Sequence, residues 1–309
     1  MTDELGNIRA MEPIRQTAVT DRDDFVYQVK WDGVRIMAGI TNGRVCLLNK
    51  KGRERTLQYP ELQKLPGLLQ ADRAILDGEI VVMKNDRPHF PAVMQRDRAQ
   101  LPNTIKLLAQ TLPIEYMVFD LLSLNNQDLR KLPLLERVAK LEKVFADQAQ
   151  LHHVPCFLQG SSLLAAVQEA GMEGIVAKRK NSAYHPARQH NDWFKIKCSQ
   201  SQKCMVGGYT LHGQKVNSLL LGVYRDDQLC YIGKAANGLR EEHWQTLSRE
   251  LPALETKRSP FAGPVPKEAH FIEPRLAVLV EFLEWTEAMQ LRFPVIQAFI
   301  TANAADCRI

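Results

Sequence analysis

Residues 34–48 place the tightest constraint on the fold. Two β-prone runs, Val34 to Ile40 and Arg44 to Leu48, are separated only by Thr41-Asn42-Gly43. An Asn-Gly pair between such runs favours a turn with positive φ, so they predict an antiparallel hairpin. Just upstream, the apolar run Phe25-Val26-Tyr27-Gln28-Val29 reads as another strand, ended by Lys30-Trp31-Asp32-Gly33-Val34-Arg35. Short β-prone runs recur along the chain with few helical stretches between them, which predicts an α+β fold built on antiparallel sheets. Pro133 begins a helix with Leu134, Val138, Leu141 and Phe145 on one face. Ser161 or Ser162 is placed to cap a second helix and Gly171 to end it.

Lys30 therefore leaves a strand into a tight loop, where a lysine can serve as a nucleophile. With a pKa near 10.4, free lysine is neutral in only roughly one molecule in a few thousand at pH 7. A nucleophilic lysine needs nearby cations, desolvation or a metal to shed its proton. If the strand runs on briefly, Lys30 and Asp32 point to one side and the acid orients the amine. Arg35 adds a planar fork suited to phosphate or ribose oxygens. Taken alone, these six residues also describe a charged strand end at the surface.

Four later segments repeat the pattern of charge set into β-prone sequence: Leu76-Asp77-Gly78-Glu79, Tyr116-Met117-Val118-Phe119-Asp120, Glu173-Gly174-Ile175-Val176-Ala177-Lys178-Arg179 and Trp193-Phe194-Lys195-Ile196-Lys197. Asp77 and Glu79 alternate onto one face, as do Lys195 and Lys197, and Trp193 anchors the latter pair. In this order and at these separations the segments resemble the motif series of the covalent nucleotidyltransferases: ATP-dependent DNA ligases, RNA ligases and mRNA capping enzymes. The likeness is greatest to the ligase domain of bacterial non-homologous end-joining DNA ligases and runs from about Met11 to about Pro294.

The resemblance implies a nucleotidyltransferase (adenylation) domain over residues 1–201 and a C-terminal OB-fold β-barrel over 202–309. It implies catalysis by Lys30, Asp32, Arg35, Lys195 and Lys197, with Lys30 forming a lysyl-AMP intermediate from ATP. Gln28, Lys30, Arg35, Lys50, Glu79, Phe119, Lys178, Lys195 and Lys197 would hold the nucleotide, Phe119 by stacking on the purine. Glu79 and Glu173 would take Mg²⁺ or Mn²⁺, for which carboxylate oxygen is a suitable donor. Partners implied are nicked or broken double-stranded DNA and a Ku-type end-binding protein, with the chain acting as a monomer in DNA repair.

The chain also departs from the family. Many relatives carry glutamate at Gln28, although an amide oxygen still accepts a hydrogen bond from adenine. Lys50 stands where arginine is usual, giving charge without the fork. After Tyr184-His185-Pro186 the family tends to show glycine and then an arginine-serine pair; here stand Ala187 and Gln189-His190. The closing Arg-x-Asp-Lys element, which orients pyrophosphate, is replaced by Ile300, Ala302 and Asn303 at the charged positions. Arg292, Lys234 or Arg240 would have to substitute, or self-adenylation is slow or lost. An RNA ligase or capping-type guanylyltransferase is the alternative within enzymes. A DNA-binding clamp without self-adenylation is the alternative outside them.

Charge agrees with a polyanionic partner. From Lys203 onward twelve basic side chains balance twelve acidic ones, so the net +5 sits in the earlier part with the motifs. Clusters at Lys50-Lys51-Gly52-Arg53, Arg96-Asp97-Arg98 and Lys178-Arg179-Lys180 could neutralise backbone phosphates. Six scattered cysteines, with no Cys-x-x-Cys pair and no matching histidine spacing, predict reduced thiols and no zinc site. The acidic start, Met1-Thr2-Asp3-Glu4-Leu5, and the absence of a long apolar run predict a cytoplasmic protein with no membrane segment. Beyond the polar stretch Cys198-Ser199-Gln200-Ser201-Gln202, read as a hinge, strands at Val206 to Leu211, Leu219 to Arg225, Leu229 to Lys234, Ala277 to Trp285 and Leu291 to Phe299 would make a five-stranded barrel, with a helix at Arg240 to Arg249. No repeat and no added zinc finger, polymerase or nuclease module is visible in the 309 residues.

Overall fold

Asn42 and Gly43 adopt φ angles of 48° and 77°, and the hairpin they dictate forms as expected. Strands Val34–Thr41 and Arg44–Asn49 pair antiparallel, with Thr41 opposite Arg44. The structure is a computed structural model that describes residues 8–309 apart from Ala149 and Glu287. The acidic Met1 to Leu5 start lies outside the described residues. Two compact units meet between Cys198 and Ser199.

In the first unit the hairpin belongs to a six-stranded sheet. Its order is Leu151–His153, Glu115–Leu124, Arg73–Val81, Val34–Thr41 and Arg44–Asn49, with Gln127–Asp128 beside Glu115–Leu124. A second sheet runs Glu12–Arg15, Gln189–Lys197, Gly174–Arg179, Phe25–Val29. Strand alternation positions the site. Ile36, Ala38 and Ile40 pack into the main core with Leu76, Tyr116 and Leu141, while Met37 faces a second core with Ile75, Tyr184 and Trp193. In the second sheet Phe25, Tyr27, Ile175, Ala177 and Ile196 pack against Leu163 and Val167 of helix Gly160–Glu169. The intervening residues Gln28, Val176, Lys178, Trp193 and Lys195 consequently line a cavity on the opposite face. Burying each large apolar side chain on the helix side contributes about 1.5–3 kcal/mol, which fixes the register that aims the polar ones.

Helix Leu134–Val144 follows Pro133 as expected, burying Leu134, Leu141 and Val144, but Arg137 shares that face. Helix Gly160–Glu169 is not capped by Ser161 or Ser162, which lie in its first turn. Asp21, remote in sequence, accepts from the amides of Gly160 at 2.6 Å and Ser161 at 3.0 Å, and Gly171 at φ 67° follows the helix end.

The second unit is a meander of Gln200–His212, Lys215–Arg225 and Gln228–Ala235. It continues through helix Glu241–Glu250 and strands His270–Phe282 and Val295–Ile300. With the two-residue strands Glu255–Thr256 and Phe261–Ala262, these form one seven-stranded sheet. Its core joins Val206, Leu219, Leu221, Ile232, Val278 and Ile296 to Leu247 of the helix. Five long strands are present as the OB pattern requires, yet among the described residues the sheet does not close into a barrel. Past the end of the third strand, Asn237 forms an isolated bridge with Val295 of the last strand, and ahead of that strand Leu291 N donates to the Ile232 carbonyl at 2.7 Å. The two late strands are also displaced from the expected Ala277 to Trp285 and Leu291 to Phe299. The first begins earlier, at His270, and Leu291 makes only an isolated bridge to Trp285. Nor is the Ser-Gln stretch a free linker, since Gln200, Ser201 and Gln202 pair with Phe282, Glu281 and Val280. No helix of the described residues is long and apolar enough to cross a membrane. All six cysteines are free thiols.

Candidate active site

A cavity of about 730 Å³ opens in the first unit, within the range of small-molecule sites. Nine of its lining side chains are lysine or arginine, Lys30, Arg35, Lys50, Lys178 and Lys195 among them, against the three acids Glu12, Glu79 and Asp97. Such a wall favours a polyanion.

Lys30 lines the cavity. Strand Phe25–Val29 ends one residue before it, and Lys30 to Gly33 form a loop. Gly33 is required there by close approach: a Cβ would lie 2.1 Å from the Ile80 carbonyl oxygen. Because the strand stops at Val29, alternation does not put Lys30 and Asp32 on one side. Asp32 does not line the cavity, although its charge helps to raise the pKa of Glu79. The partner of Lys30 is Glu173, whose Oε2 accepts from its Nζ at 2.5 Å. Glu173 Oε1 holds Lys197 Nζ at 2.6 Å. Burial alone would raise the Glu173 pKa, but Lys30 and Lys197 outweigh it and hold the carboxyl below its usual value. Glu79 has no such clamp. Burial pushes its pKa up to about 8 against the pull of Lys30 and Arg35.

The Arg35 fork is not open to a ligand. Nε and Nη2 grip the Asp77 carboxylate at 2.9 and 2.6 Å, Nη1 donates to the Met11 carbonyl at 2.7 Å, and Nη2 also reaches Tyr184 Oη at 3.3 Å. Tyr184 Oη in turn donates to Asp77 at 2.7 Å. Arg35 is thus a buttress of the cavity wall, its guanidinium 5.2 Å from the Phe119 ring centre. Asp77 and Tyr184 are the residues that sequence reasoning missed in these roles. Asp77 was legible as an acid on the Glu79 face, but nothing near Tyr184 in the chain signals a contact 107 residues away.

Two aromatic rings form another part of the lining. Phe119 and Trp193 meet edge to face at 6.3 Å. The Lys178 ammonium lies 4.3 and 4.1 Å from their ring centres and makes no hydrogen bond. Burial lowers its pKa to about 8, against the attraction of Asp120, Cys156 and Asp77. Gln28 is fixed by its Nε2, which donates to the Val154 carbonyl at 2.9 Å, while its buried Oε1 has no partner. That orphaned acceptor is a docking point for a donor such as an exocyclic amine. Lys195 lines the cavity with a pKa lowered by burial and by Lys30 and Lys197. Lys50 sits at the exposed rim, paired with Glu12 at 2.8 Å.

Lys178 carries a testable cost. Its charged form is penalised in the fold between the usual 10.5 and about 8, so the penalty is fully present below pH 8 and fades as pH rises to 10.5. The shift corresponds to about 3 kcal/mol, offset by about 1–2 kcal/mol of cation–π attraction. Lys178→Met is expected to raise stability at pH 7 by about 1–2 kcal/mol, and the gain should shrink by pH 10. Urea midpoints at the two pH values check it.

A family model for the ATP dependent DNA ligase domain matches residues 9–197, and one for the ATP dependent DNA ligase C terminal region matches 212–299. The chain belongs to the ATP-dependent DNA ligase family. This ligase-family chain is 31% identical over 301 residues to the multifunctional non-homologous end joining protein LigD of Mycobacterium bovis, covering 94% of this chain and 38% of that one. It is 31% identical over 285 residues to LigD of Pseudomonas aeruginosa, covering 88% and 33%. It therefore spans little more than a third of the curated relatives it matches. A solved structure of mycobacterial DNA ligase D complexed with ATP and MES superposes at a TM-score of 0.57 and 28% identity, covering 96% of each chain. Of the residues singled out in the sequence, Gln28, Lys30, Arg35, Lys50, Glu79, Phe119, Lys178 and Lys195 line the cavity, while Glu173 is bonded to Lys30 and Lys197 to Glu173.

Proposed function

We propose that this chain is an ATP-dependent DNA ligase that seals 5′-phosphate/3′-hydroxyl nicks or ends in duplex DNA through a lysyl-AMP intermediate. The observation that carries the reading is Lys30, set in the lining of a cation-rich cavity and bonded to a buried carboxylate. Lys30 Nζ attacks the α-phosphate of ATP and pyrophosphate leaves. The 5′-phosphate at the nick then takes AMP from the lysine, and the 3′-hydroxyl displaces it. Glu173 Oε2, bonded to Lys30 Nζ, holds the amine in place for the first attack. Lys195 and Lys197 supply positive charge for the phosphate oxygens as the transition state forms.

The nucleotide fits the pocket's unused groups. Gln28 Oε1 accepts from the amino group of adenine, whereas the carbonyl at that position of guanine would set two acceptors against each other. Phe119 offers a ring face for stacking. Glu79 and Glu173 have the oxygen chemistry to hold Mg²⁺ or Mn²⁺, although in this state both Glu173 oxygens hold ammonium groups. A bound divalent ion would neutralise charge on the phosphates. Relatives that carry the end-joining name support a role in repair of broken DNA. A Ku-type end-binding protein as partner and action as a monomer belong to the same proposal.

The C-terminal segment favours a second reading. Ile300 and Ala302 pack against the second unit's core, and Asn303 closes a turn by accepting from the amides of Ala305 and Asp306. No charged side chain stands at the three positions expected to orient pyrophosphate, which suits a DNA-binding clamp without self-adenylation. A nicked duplex labelled at its 5′-phosphate separates the readings. Joining with ATP, and not with GTP, is expected. DNA binding without joined strand or DNA-adenylate supports the clamp, and faster joining with GTP or of RNA strands supports the RNA ligase or capping-type enzymes.

A further inference from the structure

Away from the cavity, one side-chain cluster has the make-up of a transition-metal site. His190 and Asp192 lie two residues apart on strand Gln189–Lys197 and so leave one face of it. His185 comes from the preceding turn, which Ala187 folds back at φ 61°. The two imidazole rings stack with centres 3.9 Å apart. Each brings one nitrogen to the same oxygen: His185 Nε2 lies 3.3 Å and His190 Nδ1 2.9 Å from Asp192 Oδ2. His190 Nδ1 is nevertheless buried and makes no hydrogen bond of good geometry, a state that costs about 1–3 kcal/mol when nothing else satisfies the atom.

We propose that His185 Nε2, His190 Nδ1 and Asp192 Oδ2 form a binding site for a divalent transition ion of the zinc class, with water completing the shell. The three atoms already lie within 4.8 Å of one another, and they are the one such group among the described residues. Bond lengths of about 2.0–2.2 Å to zinc bring three ligands to roughly 3–3.5 Å separations. Modest side-chain rotation reaches that spacing, since both histidines keep about a third of their surface in solvent. Two imidazoles with one carboxylate suit zinc, cobalt or nickel, whereas magnesium prefers oxygen alone. Arg179 Nε donates to Asp192 Oδ1 at 2.9 Å, which holds the carboxylate in place and leaves Oδ2 to the ion, the usual outer support of such ligands. An ion here ties the 185–190 turn to the strand that carries Trp193 and Lys195. The site stands independently of the ligase reading.

The test uses the full chain, stripped with a chelator and titrated with Zn²⁺ alone, with Co²⁺ as a spectroscopic reporter. Wild type should bind one tight Zn²⁺ equivalent, raise its thermal midpoint with zinc and not with magnesium, and give a visible Co²⁺ band. The His185→Gln/His190→Gln variant should lose affinity by on the order of 100-fold or more, together with the midpoint shift and the band. The single His190→Gln variant, at a partly exposed position, serves if the double variant does not fold. Absence of tight zinc binding in wild type overturns the proposal. So does zinc affinity that survives both variants, as it would if thiols held the metal.

Discussion

Lys30→Ala is expected to stop ATP-driven sealing of a nicked duplex while sparing closure of a nick that already carries AMP on its 5′-phosphate. The first two transfers pass through a bond to Lys30 Nζ, so removing the amine removes the path and not only a contact. The loss should be on the order of 10⁴-fold or more, as for other covalent nucleophiles. The last transfer needs only the DNA-adenylate, the 3′-hydroxyl and the cationic wall, to which Lys195 and the other lining cations still contribute. Its rate should stay within about tenfold, a shift that reflects a Glu173 left with Lys197 as its one ion-pair partner among the described residues. Gel assays on ordinary and pre-adenylated nicks check both halves. Equal loss on both substrates would mean that Lys30 acts by binding DNA, and no loss on either would remove it from the chemistry.

Arg137→Met is expected to cost the first unit about 3–5 kcal/mol. Arg137 and Asp120 are both fully buried, and Nε and Nη2 bond the carboxylate at 2.7 and 2.8 Å. Nη1 also donates to the carbonyls of Leu132 and Ser182 at 2.6 and 2.9 Å. Truncating the cation leaves the buried Asp120 carboxylate without its ion-pair partner and two carbonyls unpaired, while removing both charges leaves neither member of the pair stranded. Arg137→Met/Asp120→Leu should therefore recover about half or more of the loss, a coupling readable from urea midpoints of the single and double variants. Additive losses would show that the pair does not act as a unit. The expected effect reaches the site, because Ser182 leads into Tyr184 and so to the Asp77–Arg35 clamp.

What the sequence made legible was local. The Asn42-Gly43 turn, the strand ahead of Lys30 and the alternation that sends Gln28, Lys178, Trp193 and Lys195 to one face all follow from periods of two and from turn chemistry. What it hid was who pairs with whom at a distance. Arg35 looked like a free fork, but its partner Asp77 is 42 residues away across a strand register. Glu173 looked like a metal ligand, while both its oxygens meet lysines that only the fold brings together. The helix cap came from Asp21 for the same reason. Barrel closure depends on which backbones pair at the ends of the third and last strands, which hydrophobic pattern does not report.

The most direct test of the account is the intact mass of pyrophosphate-stripped protein before and after ATP with Mg²⁺, beside Lys30→Ala. The account predicts a gain of one AMP on wild type, none on the variant, and loss of the adduct on adding pyrophosphate. An unchanged wild-type mass, or an AMP adduct that persists in Lys30→Ala, would contradict it.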